Sequence, residues 1–301
     1  MAMKQPLICV VGTNASGKSA LGVELARAFN GEIISADSRQ VFRGLDLGSG
    51  KITTDEMRGV AHHLIDIRDP NEFFSMADFQ TLAYNAIDSI HARGRLPFLV
   101  GGTGLYVSSV AEGYELSGGA PDLQYRAQLE HYDTPTLHRM LIERMPGAEV
   151  DPRNRNRVMR LLERLKSGDD LSPRRAPHYD CLKIGVTWER AALCRRIDER
   201  LQARMDAGML DEVRLLLHRG ATPEFLTKLG LEYRYLYQYL AGDFATEVEM
   251  LDELARAIKR FAKRQMTWFR KDASILWLDM RADPIAQARA AVGAWLEGRK
   301  G

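Results

Sequence analysis

A chain of 301 residues, 45% apolar and 27% charged, is long enough to bury one unusually large core or two ordinary ones, and two domains are expected. Its 42 Lys and Arg nearly balance its 40 Asp and Glu. A net charge of +2 therefore excludes a protein defined by bulk basicity, and any nucleic-acid role must rest on local clusters. No apolar run reaches the length of a signal-peptide core or a membrane span, and three cysteines without metal-ligand spacing exclude a disulfide scaffold; the expected location is the cytoplasm.

Residues 7–11 read as an apolar strand, 12–17 as a glycine loop, and 18–29 as a helix with Leu21, Leu25 and Ala28 facing inward. Further strands are expected at 32–36, ending in Asp37 and Ser38, at 64–67, and at 97–100, which runs into Gly101-Gly102-Thr103-Gly104. Before the last of these, 76–92 places Phe79, Leu82, Ala86, Ile87 and Ile90 at helical spacing. Such alternation predicts an α/β fold with a parallel sheet. Between 118 and 177 two helical stretches, 123–130 and 157–166, sit among Gly, Pro and Asp with no convincing strand. A strand at 181–186 then returns to the sheet, followed by amphipathic helices over 189–207 and 245–270 and a strand at 275–278. The expected organisation is a P-loop core in two parts, 1–117 and 179–301, interrupted by an inserted helical domain at 118–178.

The stretch Gly12-Thr13-Asn14-Ala15-Ser16-Gly17-Lys18-Ser19 satisfies G-x-x-x-x-G-K-[ST] between a strand and a helix. Its glycines let successive N–H groups turn toward phosphate oxygens, Lys18 adds a mobile cation, and Ser19 offers a hydroxyl to Mg²⁺. Ligands of open parallel sheets lie beyond the carboxyl ends of the strands, so 12–19, 37–40 and 101–103 should converge on one crevice. The strand at 97–100 ends in glycines where nucleotide-hydrolysing P-loop proteins often place an Mg²⁺-holding aspartate. Asp37 is then the acidic group nearest the phosphates, suited to accept a proton from an incoming nucleophile. A small-metabolite kinase with the insertion as its lid fits the same loop.

Together with SADSRQVFRGLDLGSGK (35–51), HHLIDIRDP (62–70), FSMADFQ (74–80), LVGGTGLY (99–106) and FAKRQMTWFR (261–270), this loop resembles the bacterial tRNA dimethylallyltransferases, also called tRNA isopentenyltransferases. The resemblance implies a nucleoside-triphosphate-hydrolase-like core. It also implies transfer of the dimethylallyl group from dimethylallyl diphosphate to N6 of adenosine 37 in tRNAs reading codons that begin with U, without ATP consumption. By the same resemblance, residues 12–19 hold the donor diphosphate and Asp37 is the base. Thr103 positions substrate or leaving group, Arg200 serves the diphosphate, and His62 lies near it. Asp37, Ser38, Arg39, Gln40, Thr103, Arg126, Asn156, Arg157, Val158, Met159 and Arg160 match tRNA contacts. The implied partners are a tRNA anticodon stem-loop, the donor and Mg²⁺, with no membrane and a monomer as the acting form.

The chain departs from the family pattern at Phe42, usually tyrosine, at Ala61, usually proline, and at 47–51. Two further departures, at 151–157 and 229–233, fall in stretches associated with tRNA docking. Arg153, Arg155, Arg157 and Arg160 make one basic cluster, and Arg256, Lys259, Arg260, Lys263 and Arg264 a second along one helix face; both are candidate phosphate contacts. Phe269, with Phe261 or Met266, is expected to pack inward and Trp268 to be a partly exposed anchor. His63 is expected to be a hydrogen-bonding structural residue.

Overall fold

The computed structural model describes residues 4–116, 122–168 and 175–299. By packing, the chain divides into one compact unit of Met1–Gly113 with Pro177–Gly301 and a second of Tyr114–Ala176. The expected boundary at 117/118 lies outside the described residues.

The first unit is built on β1 (Gln5–Gly12), β2 (Gly31–Ser35), β3 (His62–His63), β4 (Leu96–Gly101), β5 (Tyr179–Thr187) and β6 (Ile275–Asp279). Every pairing is parallel, and the spatial order is β3-β2-β4-β1-β5-β6. The third strand is 62–63 and not 64–67. Leu64 and Asp66 take positive φ (63° and 54°), which no strand tolerates, and the chain turns away there. β1 alternates between two cores: Leu7, Cys9 and Val11 face one, Ile8 and Val10 the other. The first core takes Phe79, Ile87 and Ile90 from α3 (Met76–Ala92) and Val107 and Val110 from α4 (Gly104–Ala111). A capping box between Ser75 and Asp78 starts α3 where the spacing predicted it.

The second core receives α1 (Lys18–Ala28) through Leu21, Val23, Leu25 and Ala26. Ala28 is exposed, contrary to the expected stripe, because the helix ends there and its last turn leaves the sheet. The same core takes Ala288 and Val292 from α13 (Pro284–Gly298), which the sequence reading did not assign. A short α2 (Thr54–Met57) precedes β3.

A third core is helical apart from Val41, Phe42, Leu45 and Ala221. It joins α8 (Arg190–Asp206), α9 (Met209–His218), α10 (Pro223–Leu229), α11 (Leu231–Leu240) and α12 (Glu247–Phe269). Phe42, which stands where the family usually has tyrosine, is buried edge-on to Phe225 with ring centroids 5.1 Å apart. Of these helices only α8 and α12 were expected.

The second unit holds α5 (Leu123–Glu130), α6 (Thr134–Arg144) and α7 (Arg155–Lys166) around Leu129, Leu137, Leu141, Val158, Met159 and Leu162. The helix α6 is additional to the two expected, with Asp133 accepting the Thr136 amide at 2.9 Å and a proline in its first turn. Among the described residues no helix is long and apolar enough to cross a membrane.

Candidate active site

Register puts the loop, Asp37 and the glycine turn on one edge. Val11 pairs with Gly101 and Ser35 with Val100, so residues 12–19, 36–40 and 101–104 all leave the carboxyl ends of adjacent strands. Gly101 is required by this closeness: a Cβ there would lie 2.1 Å from the Ala36 carbonyl oxygen. The result is a crevice of about 800 Å³ whose wall includes Asn14, Lys18, Ser19, Asp37, His62 and Arg200. Ile33, Ile52, Ile65, Ile197 and Ile258 supply its apolar lining.

Within the loop, Ala15 (φ 60°) and Gly17 (φ 89°) take left-handed conformations on either side of Ser16 and turn the amides. Three side chains hold the peptide groups from outside. The Gln265 Oε1 accepts the Asn14 N–H at 3.0 Å, Arg196 Nε donates to the Ala15 carbonyl at 3.0 Å, and Trp188 Nε1 donates to the Ser16 carbonyl at 2.8 Å. Arg196 is itself stacked 4.4 Å over the Trp188 ring. The expectation that Asn14 offers its amide to phosphate is therefore corrected: that N–H already has a partner, although Asn14 lines the crevice. Thr13 and Ser16 are buried, Ser16 against Gly12, so their side chains do not face the crevice.

Lys18 Nζ donates to the Thr13 carbonyl at 3.2 Å. Burial, helped by Arg200 and Arg39 and opposed by Asp37, brings its ammonium down to about 8. Burial also lowers the Arg200 pKa, with Arg204 and Arg196 nearby adding like charge. The guanidinium is nevertheless a cation at any working pH. His62 Nδ1 lies 2.9 Å from the Val60 carbonyl oxygen, and burial lowers its pKa, which favours the neutral ring.

Asp37 is mostly buried, and its Oδ1 accepts the Arg39 N–H at 2.9 Å, which leaves Oδ2 for a ligand. Thr103 Oγ1 accepts the Ser38 N–H at 3.3 Å, tying the acceptor turn to the glycine turn. Gln40 bridges Ser35 Oγ (3.1 Å) and the Gly50 carbonyl (3.3 Å). Arg39 was expected to touch tRNA and does not have a free side chain to do so. Its guanidinium is buried against Glu232 at 2.6 Å; burial opposes the charge, but Glu232 and Asp37 raise its pKa above the usual value. The departure at 229–233 is likewise structural. Glu232 and Tyr233 are interior, and Tyr233 donates to Glu212 at 2.8 Å, which also accepts the amides of Asp46, Leu47 and Gly48.

In the helical unit, Asn156 and Arg157 are exposed at the start of α7. Val158 and Met159 are buried in its core, so their side chains present nothing to RNA. Arg126 forms two hydrogen bonds with the buried Glu163 (2.7 and 3.1 Å), and Arg160 a third (3.2 Å). Arg155 is not a free cation of the first basic cluster: it donates to the carbonyls of Tyr132, Glu130 and Leu129 and closes the end of α5. In the second cluster Arg256, Arg260, Lys263 and Arg264 are exposed, Arg256 within 3.5 Å of Glu253, and Lys259 pairs with Asp198 at 2.7 Å. Phe269 is buried, Phe261 and Met266 partly so, and Trp268 is 40% exposed. His63 Nε2 meets Glu32 at 2.6 Å, a structural contact.

Sequence reading missed Gln265, Glu232, Glu212, Trp188 and Arg196. The signal available for Gln265 was its place on the apolar stripe of α12, between Ala262 and Phe269.

A family model described as IPP transferase matches residues 40–272. A Symbiobacterium thermophilum protein named tRNA dimethylallyltransferase is 46% identical over 300 residues, covering 96% of this chain and 93% of its own length. One of the same name from Halalkalibacterium halodurans is 44% identical over 291 residues, 92% of each chain. Among solved structures, the full-length tRNA isopentenylpyrophosphate transferase from Bacillus halodurans is similar with a TM-score of 0.77 and 42% identity, covering 99% of this chain and 98% of that one.

Proposed function

The chain belongs to the IPP transferase family, and from that premise we propose that it transfers the dimethylallyl group of dimethylallyl diphosphate to N6 of adenosine 37 in tRNAs reading codons that begin with U. The observation that carries the reading is the shared crevice. A carboxylate, Asp37, lines the same crevice as Lys18 of the phosphate loop and Arg200, and five isoleucines in the lining suit a five-carbon chain.

The adenine amine attacks the allylic carbon as the bond from that carbon to the diphosphate oxygen breaks. The amine's proton goes to Asp37 Oδ2, and the electron pair of the broken bond leaves with diphosphate. Lys18, Arg200 and the remaining loop amides face the charge that develops there, which is where preorganised donors lower a barrier most. A stacked adenine cannot present its amine to such a crevice, so the base enters flipped out of the anticodon loop. Exposed Asn156, Arg157 and the basic face of α12 supply phosphate contacts that carry affinity and little sequence information.

Mg²⁺ is part of the proposal. Among the described residues no group of three or more His, Cys, Asp or Glu forms a cage. The ion needs none, since it keeps waters and takes phosphate oxygens beside one or two protein oxygens. The Ser19 hydroxyl, on the crevice wall with Asp37, fits that donor set. When bound with the donor, the ion would neutralise charge on the leaving diphosphate. The protein is proposed to act as a cytoplasmic monomer.

The test is incubation with isotopically labelled dimethylallyl diphosphate and unmodified tRNA, followed by nucleoside analysis. Label on the N6 position of one anticodon-adjacent adenosine is expected. Phosphoryl transfer from ATP to a small acceptor, with no labelled nucleoside, would overturn the reading in favour of a kinase.

A further inference from the structure

Helix α12 buries Met250, Leu254, Ala257, Ile258, Ala262, Gln265 and Phe269 along one face. Gln265 is the polar member of that stripe and is only 7% exposed. An apolar side chain of the same size would fill the space without the desolvation cost of a primary amide. What the amide does is specific: Oε1 accepts the Asn14 N–H at 3.0 Å, and Nε2 donates to the Gly102 carbonyl at 2.8 Å. One side chain thus spans the phosphate loop and the turn after β4.

We propose that Gln265 is the positioning residue that fixes the spacing between the donor cradle and the acceptor-side turn, an inference resting on the transferase reading above. The connection continues beyond Gly102. Thr103, the next residue, accepts the Ser38 N–H, and Ser38 follows Asp37. Cradle, glycine turn and base are therefore joined through Gln265, Thr103 and two peptide groups. The seam has no slack, since a Cβ on Gly102 would lie 2.8 Å from Gln265 Nε2 and 3.3 Å from Lys18 Nζ. One turn further along α12, Trp268 lies against Gly104, where a Cβ would come within 2.3 Å of its ring. The helix end thereby holds the turn on both sides of Thr103. Gln265 touches neither substrate. It acts by keeping the attacking nitrogen and the electrophilic carbon in line, and a misplacement of about 1 Å is enough to cost roughly 10²-fold in rate.

The experiment compares wild type, Gln265→Leu and Gln265→Glu in single-turnover transfer at saturating donor and tRNA, with dissociation constants for each substrate measured separately. Gln265→Leu is expected to slow the chemical step by roughly 10- to 100-fold while both dissociation constants stay within about threefold of wild type. Gln265→Glu keeps the acceptor for Asn14 but faces the Gly102 carbonyl with a second acceptor until it is protonated. Its rate relative to wild type is therefore expected to climb as pH falls from about 8 to 6, a trend Gln265→Leu lacks. A merely structural residue would not give that rescue. Wild-type single-turnover rates in Gln265→Leu overturn the inference, as does a loss explained wholly by weaker substrate binding. If Gln265→Leu fails to fold, the pH ratio of Gln265→Glu decides alone, and a flat ratio overturns it. Wild-type protein that transfers no label refutes the transferase reading itself, before any variant is compared.

Discussion

Lys18 offers the sharpest electrostatic prediction. In the free protein its ammonium titrates near 8, lowered by burial and by Arg200 and Arg39 against the pull of Asp37. A diphosphate in the cradle favours the charged form, so binding raises this pKa and takes up a proton wherever the free group is already neutral. If the bound pKa lies above about 10, the free protein is about half protonated at pH 8 and about one-tenth protonated at pH 9. Donor affinity should accordingly be flat near pH 7 and about tenfold weaker at pH 9, with binding taking up close to one proton there. Calorimetry of dimethylallyl diphosphate binding without tRNA, at fixed free Mg²⁺ and in two buffers of different ionisation enthalpy, measures both quantities. Lys18→Met should bind weakly with no such dependence in this window. A wild-type affinity that does not change between pH 7 and 9, or binding without proton uptake at pH 9, refutes the argument.

Replacing Asp37 by Asn keeps shape and the bond from Arg39 but removes the proton acceptor. Single-turnover transfer should fall by roughly 10²- to 10⁴-fold with both substrates still bound, and a wild-type rate would remove Asp37 from the role of base. Arg155→Ala should destabilise the helical unit by about 1.5–3 kcal/mol in thermal or urea unfolding, because it strips charged donors from three carbonyls. Arg157→Ala should leave stability alone and make the log–log salt dependence of tRNA binding shallower by about one unit. The opposite pattern would reverse the two assignments. Gly101→Ala drives a methyl into the Ala36 carbonyl and should cost about 3 kcal/mol or abolish folding. Near-normal unfolding of that variant would show that the strands can part there.

The parts of this protein that were legible in the sequence are those written in contiguous residues. The phosphate loop declares itself by spacing, β1 and β4 by uninterrupted apolar runs, and α3 by its periodicity. Asp37 was readable because register in a parallel sheet puts the residues after neighbouring strands on one edge. The partners of those residues were not readable. Arg39 meets Glu232 across 193 positions and Asn14 meets Gln265 across 251, and no local pattern announces such a pair. The same limit explains Val158, Met159 and Arg155. Their positions in a motif suggest contact with RNA, but helical phase turns two of them into the core and the third onto carbonyl groups of another helix. The helices α9, α10, α11 and α13 went unassigned because they are short or follow β6, beyond the last motif.

The three outer holds on the phosphate loop and the anchor of Arg39 all come from the last 114 positions of the chain, from Trp188, Arg196, Glu232 and Gln265. Synthesis proceeds from the other end, so the loop and Asp37 leave the ribosome long before the groups that shape them. A nascent chain that has not yet reached position 188 carries the whole phosphate-binding signature with its Ala15 carbonyl unanchored and its Arg39 without Glu232. Competence to act on substrate thus arrives with the final helices, and chains cut short of α12 possess the motif without a working centre.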